Sequence, residues 1–320
     1  MQRLGHLPTI RRCLSTSAPG PTLLSTPKWR PPTRITNLPS ILAGLSKARL
    51  SGLVVTTMLA GYALTDVPFS LETALAGSAG TALCSFAAAS LNQWLEVPFD
   101  SQMPRTRCRI LPSLRLLHPA TAVYYAVGAA GAGTAILLWA GGLMAAGLAA
   151  GNIVLYAGVY TPLKRLSTWN TAVGAVVGAV PPLIGTALGD PAALLQTSSW
   201  VLPGILFAWQ FPHFNALSWR LRAEYARAGY HMASVLQPEW NRRTALAFSL
   251  ALFPITAAAY YTGAADSGIL VSGGLANGLL LYQTAKFYRD PCTRTARNLF
   301  LLSLVHLPAL MCLLWVHKRK

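Results

Sequence analysis

The chain has 320 residues, of which 53% are hydrophobic and 11% charged. A soluble domain is about one quarter charged, so this composition belongs to a membrane protein. The net charge of +17 would suit a nucleic-acid binder in a soluble chain. In a membrane protein, basic residues instead sort orientation, and no nucleic-acid partner is expected.

The first acidic residue is Asp66. Before it stand Arg3, Arg11, Arg12, Lys28, Arg30 and Arg34 among many Ser, Thr and Pro. Arg-rich, Ser-rich and acid-free composition reads as a mitochondrial transit peptide, and there is no apolar core for a secretory signal. Residues 1–35 are therefore expected to be a transit peptide or disordered N terminus, and 36–317 a polytopic membrane domain. A basic disordered tail on a bacterial-type enzyme is the other reading. The five cysteines are scattered with no Cys-x-x-Cys pair, so neither a disulfide framework nor a zinc site is indicated.

A helix needs about 20 apolar residues to cross the hydrocarbon core. The candidate spans, in chain order, are 49–66, 73–97, 119–140, 142–161, 171–189, 198–219, 244–262, 267–287 and 297–316. Gly128, Gly131 and Gly133, and the pair Gly174 and Gly178, mark faces where small residues let backbones approach. Suppose the spans alternate sides. The N-terminal segment and the loops 98–118, 162–170, 220–243 and 288–296, with Arg49, Lys286 and Arg297 at the span edges, then carry 23 of the 26 Lys and Arg residues. The opposite connections, near 67–72, 141, 190–197 and 263–266, carry none. This asymmetry supports nine helices, with the long polar loops facing the matrix or cytoplasm. The tail Lys318, Arg319 and Lys320 is the exception, on the far side.

The second span ends in Asn92-Gln-Trp-Leu-Glu96-Val-Pro-Phe-Asp100 and runs into Arg105, Arg107 and Arg109. Asn92, Glu96 and Asp100 fall at i, i+4 and i+8 on one helix face. Pro98 removes a backbone donor and is expected to kink or end the helix before Asp100. Two of the chain's nine acidic residues sit here, where ionisable groups are expensive and default to function. Such oxygens suit Mg²⁺, which takes one or two carboxylates plus substrate phosphates. Acid beside guanidinium therefore suits a metal-bridged diphosphate, and the apolar surroundings suit a greasy remainder. A structural network of Glu96 and Asp100 with Arg105 and Arg109 is the competing reading.

Tyr160-Thr-Pro-Leu-Lys164-Arg165-Leu-Ser-Thr-Trp-Asn170 lies on the same side. Lys164 and Arg165 could bind phosphate or carboxylate oxygens, or simply anchor the positive side. Further on, Gln210, His213 and Asn215 interrupt an apolar span. His213 suits an interhelical hydrogen bond, contact with a diphosphate–metal centre, or haem ligation. Arg220 and Glu224 stand four apart, so a surface ion pair is open. His118, His231, His306 and His317 lack metal-ligand spacing, although His306 lies inside the last span and is a further haem-ligand candidate. There is no glycine-rich nucleotide fingerprint and no nucleophile elbow.

At these three motifs the chain resembles the UbiA superfamily of intramembrane prenyltransferases, and within it the branch that farnesylates haem b. The matching stretches are Asn92 to Thr106, Tyr160 to Asn170 with Val173 to Pro182, and Trp209 to Tyr230. The resemblance implies an all-α integral membrane fold of nine transmembrane helices around a central cavity. It implies Asn92, Glu96 and Asp100 as the metal site, with Arg105 and His213 joining them in catalysis. Arg105, Arg109, Lys164, Arg165, Asn170, Gln210, Asn215, Glu224 and Tyr225 would contact substrate. The sequence departs from the family at Ile110-Leu-Pro-Ser-Leu-Arg115, where a Gly-containing turn is usual, and at Glu224, where Asp is usual.

The reaction so implied moves farnesyl from farnesyl diphosphate to a vinyl group of haem b. Water adds, and haem O results, for haem A and cytochrome c oxidase. Mg²⁺ would be the cofactor, and the lipid bilayer and a downstream haem A synthase the partners, at the mitochondrial inner membrane. Two other readings stand beside it. One is prenylation of an aromatic quinone precursor. The other is a non-catalytic haem carrier, which would need alternating access and usually shows internal repeats.

Overall fold

The computed structural model describes residues 38–107, 109–114 and 119–319. The expected transit peptide, His118, Cys13 and Cys108 lie outside the described residues. Helix α1 (Leu38–Leu45) leads into α2 (Ala48–Ala63), α3 (Leu71–Asp100), α4 (Pro119–Val154), α5 (Asn170–Gly189) and α6 (Val201–Arg220). Two short helices, α7 (Arg222–Arg227) and α8 (Ala233–Leu236), precede α9 (Pro238–Tyr261), α10 (Gly268–Arg289) and α11 (Thr293–Val316).

Helix α4 is two arms meeting at Gly142, whose φ of 68° and ψ of −167° suit a residue without a Cβ. Its second arm continues through a π-helical stretch, Leu155–Tyr160, to Leu163. With both arms counted, nine long helical segments fill the nine expected ranges among the described residues. Five helices (α3, α4 with its continuation, α5, α9 and α11) are long and apolar enough to cross a membrane by length and composition. The α4 stretch alone runs 45 residues, room for two crossings. Helix α2 is only 16 residues long, and α6 and α10 are diluted by residues such as His213 and Asn277.

Helices α2–α5 share one core around Met58, Tyr62, Leu137 and Ile184. Helices α6 and α9–α11 share another around Ile205, Leu252, Leu280 and Leu310. Helix α5 packs on α6 to join the two, and α11 returns to α2. The α2–α5 crossing is close. A Cβ on Gly185 would strike the Met58 carbonyl, and one on Gly61 the Pro182 carbonyl. Of the glycines expected to pack, Gly133 meets Gly80 and Cys84, Gly174 meets the Tyr160 ring, and Gly178 meets Gln210. Gly128 and Gly131 instead face open space, because their side of the first α4 arm has no neighbouring helix.

Three further expectations need correction. The α-helix does not end before Asp100 but runs through Pro98 to include it, and the Ser101 N–H still reaches the Val97 carbonyl at 3.2 Å. The proline's missing donor costs one bond within a turn of the helix end, and the ladder resumes beyond it. The connection 220–243 is not an open loop, since α7, α8 and the first turn of α9 occupy most of it. The far-side basic tail has a structural job. Lys318 Nζ donates to the Ala63 and Thr65 carbonyls and lies 3.7 Å from the Asp66 carboxylate. A cation there complements the C-terminus of α2. His317 Nδ1 lies 2.9 Å from Asp266, so the tail fastens α2, the α9–α10 turn and α11 together.

Gly185→Val should therefore sharply lower the melting temperature in detergent, since overpacking a tight site costs about 1–3 kcal/mol and backbone is slow to yield. Gly151→Val, which meets nothing within 4 Å, should leave it nearly unchanged. Thermal unfolding of the two variants checks the assignment of the α2–α5 crossing.

Candidate active site

The last two turns of α3 carry Asn92, Gln93, Glu96 and Asp100, all buried. The helix holds Asn92, Glu96 and Asp100 on one face, and each finds a cation or donor from a different part of the chain. Lys164 Nζ donates to Glu96 Oε1 at 2.6 Å. Arg109 Nη1 pairs with Asp100 Oδ2 and lies 3.8 Å from Glu96 Oε2. Lys47 Nζ donates to Asn92 Oδ1 at 2.6 Å, and Asn92 Nδ2 donates to Thr161 Oγ1 at 3.0 Å. Burying carboxylates at the end of an apolar helix is costly unless they are paired, and these are.

The supporting geometry explains why the cations arrive there. The π-helical stretch before Thr161 widens the helix by one residue, and Thr161 Oγ1 anchors to the Tyr156 carbonyl at 2.9 Å. That places Tyr160 under Lys164, whose ammonium sits 4.5 Å from the ring centroid. Such π-bulges concentrate at functional sites. On the other side, Gln93 Nε2 holds the Gly44 and Leu45 carbonyls at 3.0 and 2.5 Å, which locks the end of α1 against α3. Lys47 follows in a left-handed conformation, φ 47° and ψ 47°. It is the one described non-glycine residue with positive φ, an arrangement that costs of order 1–2 kcal/mol. Burial, reinforced by the neighbouring Arg109, pushes the Lys47 ammonium pKa below its ordinary range.

A cap of Met103, Tyr225, Tyr230 and Met232, packed with Phe99, covers the loop side. Arg165 lies over the Phe99 ring at 4.0 Å. Its carbonyl receives His231 Nδ1, and the His231 N–H bonds the Lys164 carbonyl at 2.8 Å. Asn170, buried at the start of α5, ties the two loops together through the Ser167 and His231 carbonyls at 2.6 and 2.9 Å.

Of the expected site residues, the fold brings Asn92, Glu96, Asp100, Arg109 and Lys164 into one cluster. Arg165 and Tyr225 stand in the cap, while Asn170 supports it. Arg105 is exposed and makes no ion pair among the described residues. Gln210 bonds the Ala175 carbonyl at 3.0 Å, joining α6 to α5. Asn215 bonds the Asn241 carbonyl at 2.8 Å and Thr244 at 2.9 Å, joining α6 to α9. No ion pair joins Arg220 to Glu224 among the described residues. Arg220 instead faces the Phe300 ring, and Glu224 Oε2 is buried without a hydrogen-bond partner. His306 is turned into the second core, against Asn277 Oδ1 at 3.0 Å. Sequence reasoning missed Lys47 and Thr161. A lysine just ahead of the first span was the available signal for Lys47, and it read as ordinary positive-inside charge.

Lys164 and Arg109 pair with the two carboxylates, and a third basic side chain, Lys47, is held beside them by Asn92. The cluster lies at the end of an apolar bundle. A family model described as the UbiA prenyltransferase family matches residues 53–305, and the chain belongs to that family. It is 45% identical over 287 residues to the mitochondrial protoheme IX farnesyltransferase of Homo sapiens, covering 89% of this chain and 64% of that protein. The chain thus spans somewhat under two thirds of that relative's length. The fold matches a solved digeranylgeranylglyceryl phosphate synthase with a TM-score of 0.75 at 12% identity, over 88% of this chain and 99% of that one. It also matches a UbiA homolog from Archaeoglobus fulgidus bound to GPP and Mg²⁺, with a TM-score of 0.60 at 12% identity, over 86% and 99% of the two chains.

Asn170→Ala should cost about 1–3 kcal/mol by removing its two part-buried hydrogen bonds, the one to His231 being the tie between the loops. Arg105→Ala should stay within about 0.5 kcal/mol, as exposed substitutions do. Their apparent melting temperatures in detergent check the two assignments.

Proposed function

We propose that this chain is a farnesyltransferase acting on haem b at the mitochondrial inner membrane, with its long polar loops facing the matrix. The observation that carries the reading is Arg109, whose one guanidinium reaches both Glu96 and Asp100. Two carboxylates that share one cation can share one metal. The residues present therefore fit Mg²⁺, held by Glu96 and Asp100 with Asn92 beside them, while phosphate and water complete the shell. The GPP- and Mg²⁺-bound relative and the human haem farnesyltransferase support the substrate classes. When bound, the ion would neutralise charge on the departing diphosphate.

The chain's own residues do the rest. Arg109 and Lys164, released from the carboxylates, grip the diphosphate together with Lys47, and Arg105 and Arg165 extend the positive rim. Cation clamps aimed at developing charge are often the largest catalytic contribution in such sites. The allylic C–O bond breaks and diphosphate departs with its electron pair. The terminal carbon of a haem vinyl group then bonds the farnesyl carbon, and water captures the cation left beside the pyrrole. The cap of Met103, Tyr225 and Tyr230 keeps bulk water from the allylic cation. Residues 1–35 would serve as the targeting segment, 36–317 as the catalytic membrane domain, and a haem A synthase would take the product.

Mass spectrometry of haem incubated with farnesyl diphosphate, Mg²⁺ and the purified protein tests this. A species heavier by farnesyl plus water is expected, and it should be lost with EDTA. Asp100→Ala should slow its formation by about 10²-fold or more, the usual cost of a lost charge contact. Product at the wild-type rate from that variant would remove the site assignment. Cleavage of farnesyl diphosphate with haem unchanged would move the reading to an aromatic acceptor.

A further inference from the structure

His213 stands on α6 with its ring stacked between Trp209 and Phe300, at centroid distances of 4.4 and 4.9 Å. Both Trp209 and His213 are fastened to one residue of α11. Trp209 Nε1 donates to the Ser303 carbonyl at 2.9 Å, and His213 Nδ1 lies 2.8 Å from Ser303 Oγ. The Ser303 hydroxyl has one proton, and it bonds the Phe300 carbonyl at 2.7 Å. Its oxygen is then left to accept from His213, so Nδ1 carries the imidazole proton and Nε2 carries the lone pair.

The rotation of α6 is fixed by its polar residues. Asn215, two residues on and about 200° around α6, is pinned to α9. Gln210 is pinned to α5, and Trp209 to α11. His213 is half-buried and leans on α11 through Phe300 and Ser303, and its Nε2 makes no hydrogen bond among the described residues.

We propose that Ser303, which no sequence motif singles out, is a positioning residue that fixes the Nδ1–H tautomer of His213 and so presents Nε2 as the reaction's proton acceptor. This rests on the function proposed above. Water capture of the haem-side cation forms a C–O bond and leaves a protonated hydroxyl. That hydroxyl must lose one proton, and His213 Nε2 takes it. The second bond to Ser303 fixes which nitrogen is protonated, as partners of catalytic histidines generally do.

The test uses the full chain in lipid nanodiscs with ¹⁵N-labelled histidine, the His213 signals being assigned by their loss in His213→Gln. The wild-type ring should show Nδ1 protonated and Nε2 bare. Ser303→Ala should shift the proton toward Nε2 and lower turnover about tenfold or more, a fraction of the ~10²–10⁴-fold that a general base supplies. KM for farnesyl diphosphate should not move, and Ser303→Thr should restore both readouts. Ser249→Ala, which removes another buried interhelical hydroxyl contact, to Thr284 at 3.0 Å, should change neither. A wild-type ring protonated on Nε2 would overturn the inference, as would a Ser303→Ala protein with unchanged tautomer. Wild-type protein that forms no farnesylated haem would defeat the parent reading instead, and the tautomer result would still decide the role of Ser303.

Discussion

The structure depends on how two buried carboxylates at the end of an apolar helix are neutralised. Glu96 and Asp100 are almost fully covered, and an isolated charge in that position would be strongly unfavourable. The cations that pair with them come from two separate parts of the chain, the loop after α3 and the end of α4. Folding the α4 end and the α3 loop onto α3 is therefore coupled to satisfying those charges, and Lys47 is drawn in by Asn92 beside them. The same coupling makes the site responsive. In the proposed reaction the cluster would hand its cations to a phosphate and its carboxylates to a metal.

Around that cluster the bundle supplies precise but ordinary supports. The α2–α5 crossing relies on glycine, α6 is tied to its neighbours by side-chain hydrogen bonds, and the tail ties α2 to the last helix. Three amide side chains inside the spans, Gln210, Asn215 and Asn277, are committed to neighbouring helices. Such bonds contribute modestly in membrane bundles, around 0.6 kcal/mol on average. Their larger effect here is directional, because they fix the rotation of α6 between its neighbours.

Much of this was legible in the sequence. Hydropathy and the distribution of Lys and Arg placed the nine helical segments, since both follow from the bilayer's thickness and charge asymmetry. The i, i+4, i+8 spacing of Asn92, Glu96 and Asp100 placed three side chains on one face, and the structure keeps them there. What could not be read were contacts between distant parts of the chain. The pairing of Glu96 with Lys164 depends on a π-helical stretch that has no sequence signature, and Lys47 depends on a left-handed turn at a residue that rarely adopts one. Helix rotation was equally hidden, which is why Gly133 packs while Gly128 and Gly131 do not. The Arg220–Glu224 spacing read as an ion pair because i, i+4 permits one, but α6 ends between them and the geometry is lost.

The central claim is that the Glu96–Asp100 cluster exchanges its internal cations for a metal-bound diphosphate. The most direct measurement is equilibrium binding of a non-reactive farnesyl thiodiphosphate to the protein in nanodiscs, with Mg²⁺ and with EDTA, compared with Glu96→Gln and Asp100→Asn. The account predicts tight binding that requires Mg²⁺ and is lost in both variants. Binding of equal strength without the metal, or unaffected by removing both carboxylate charges, would contradict it.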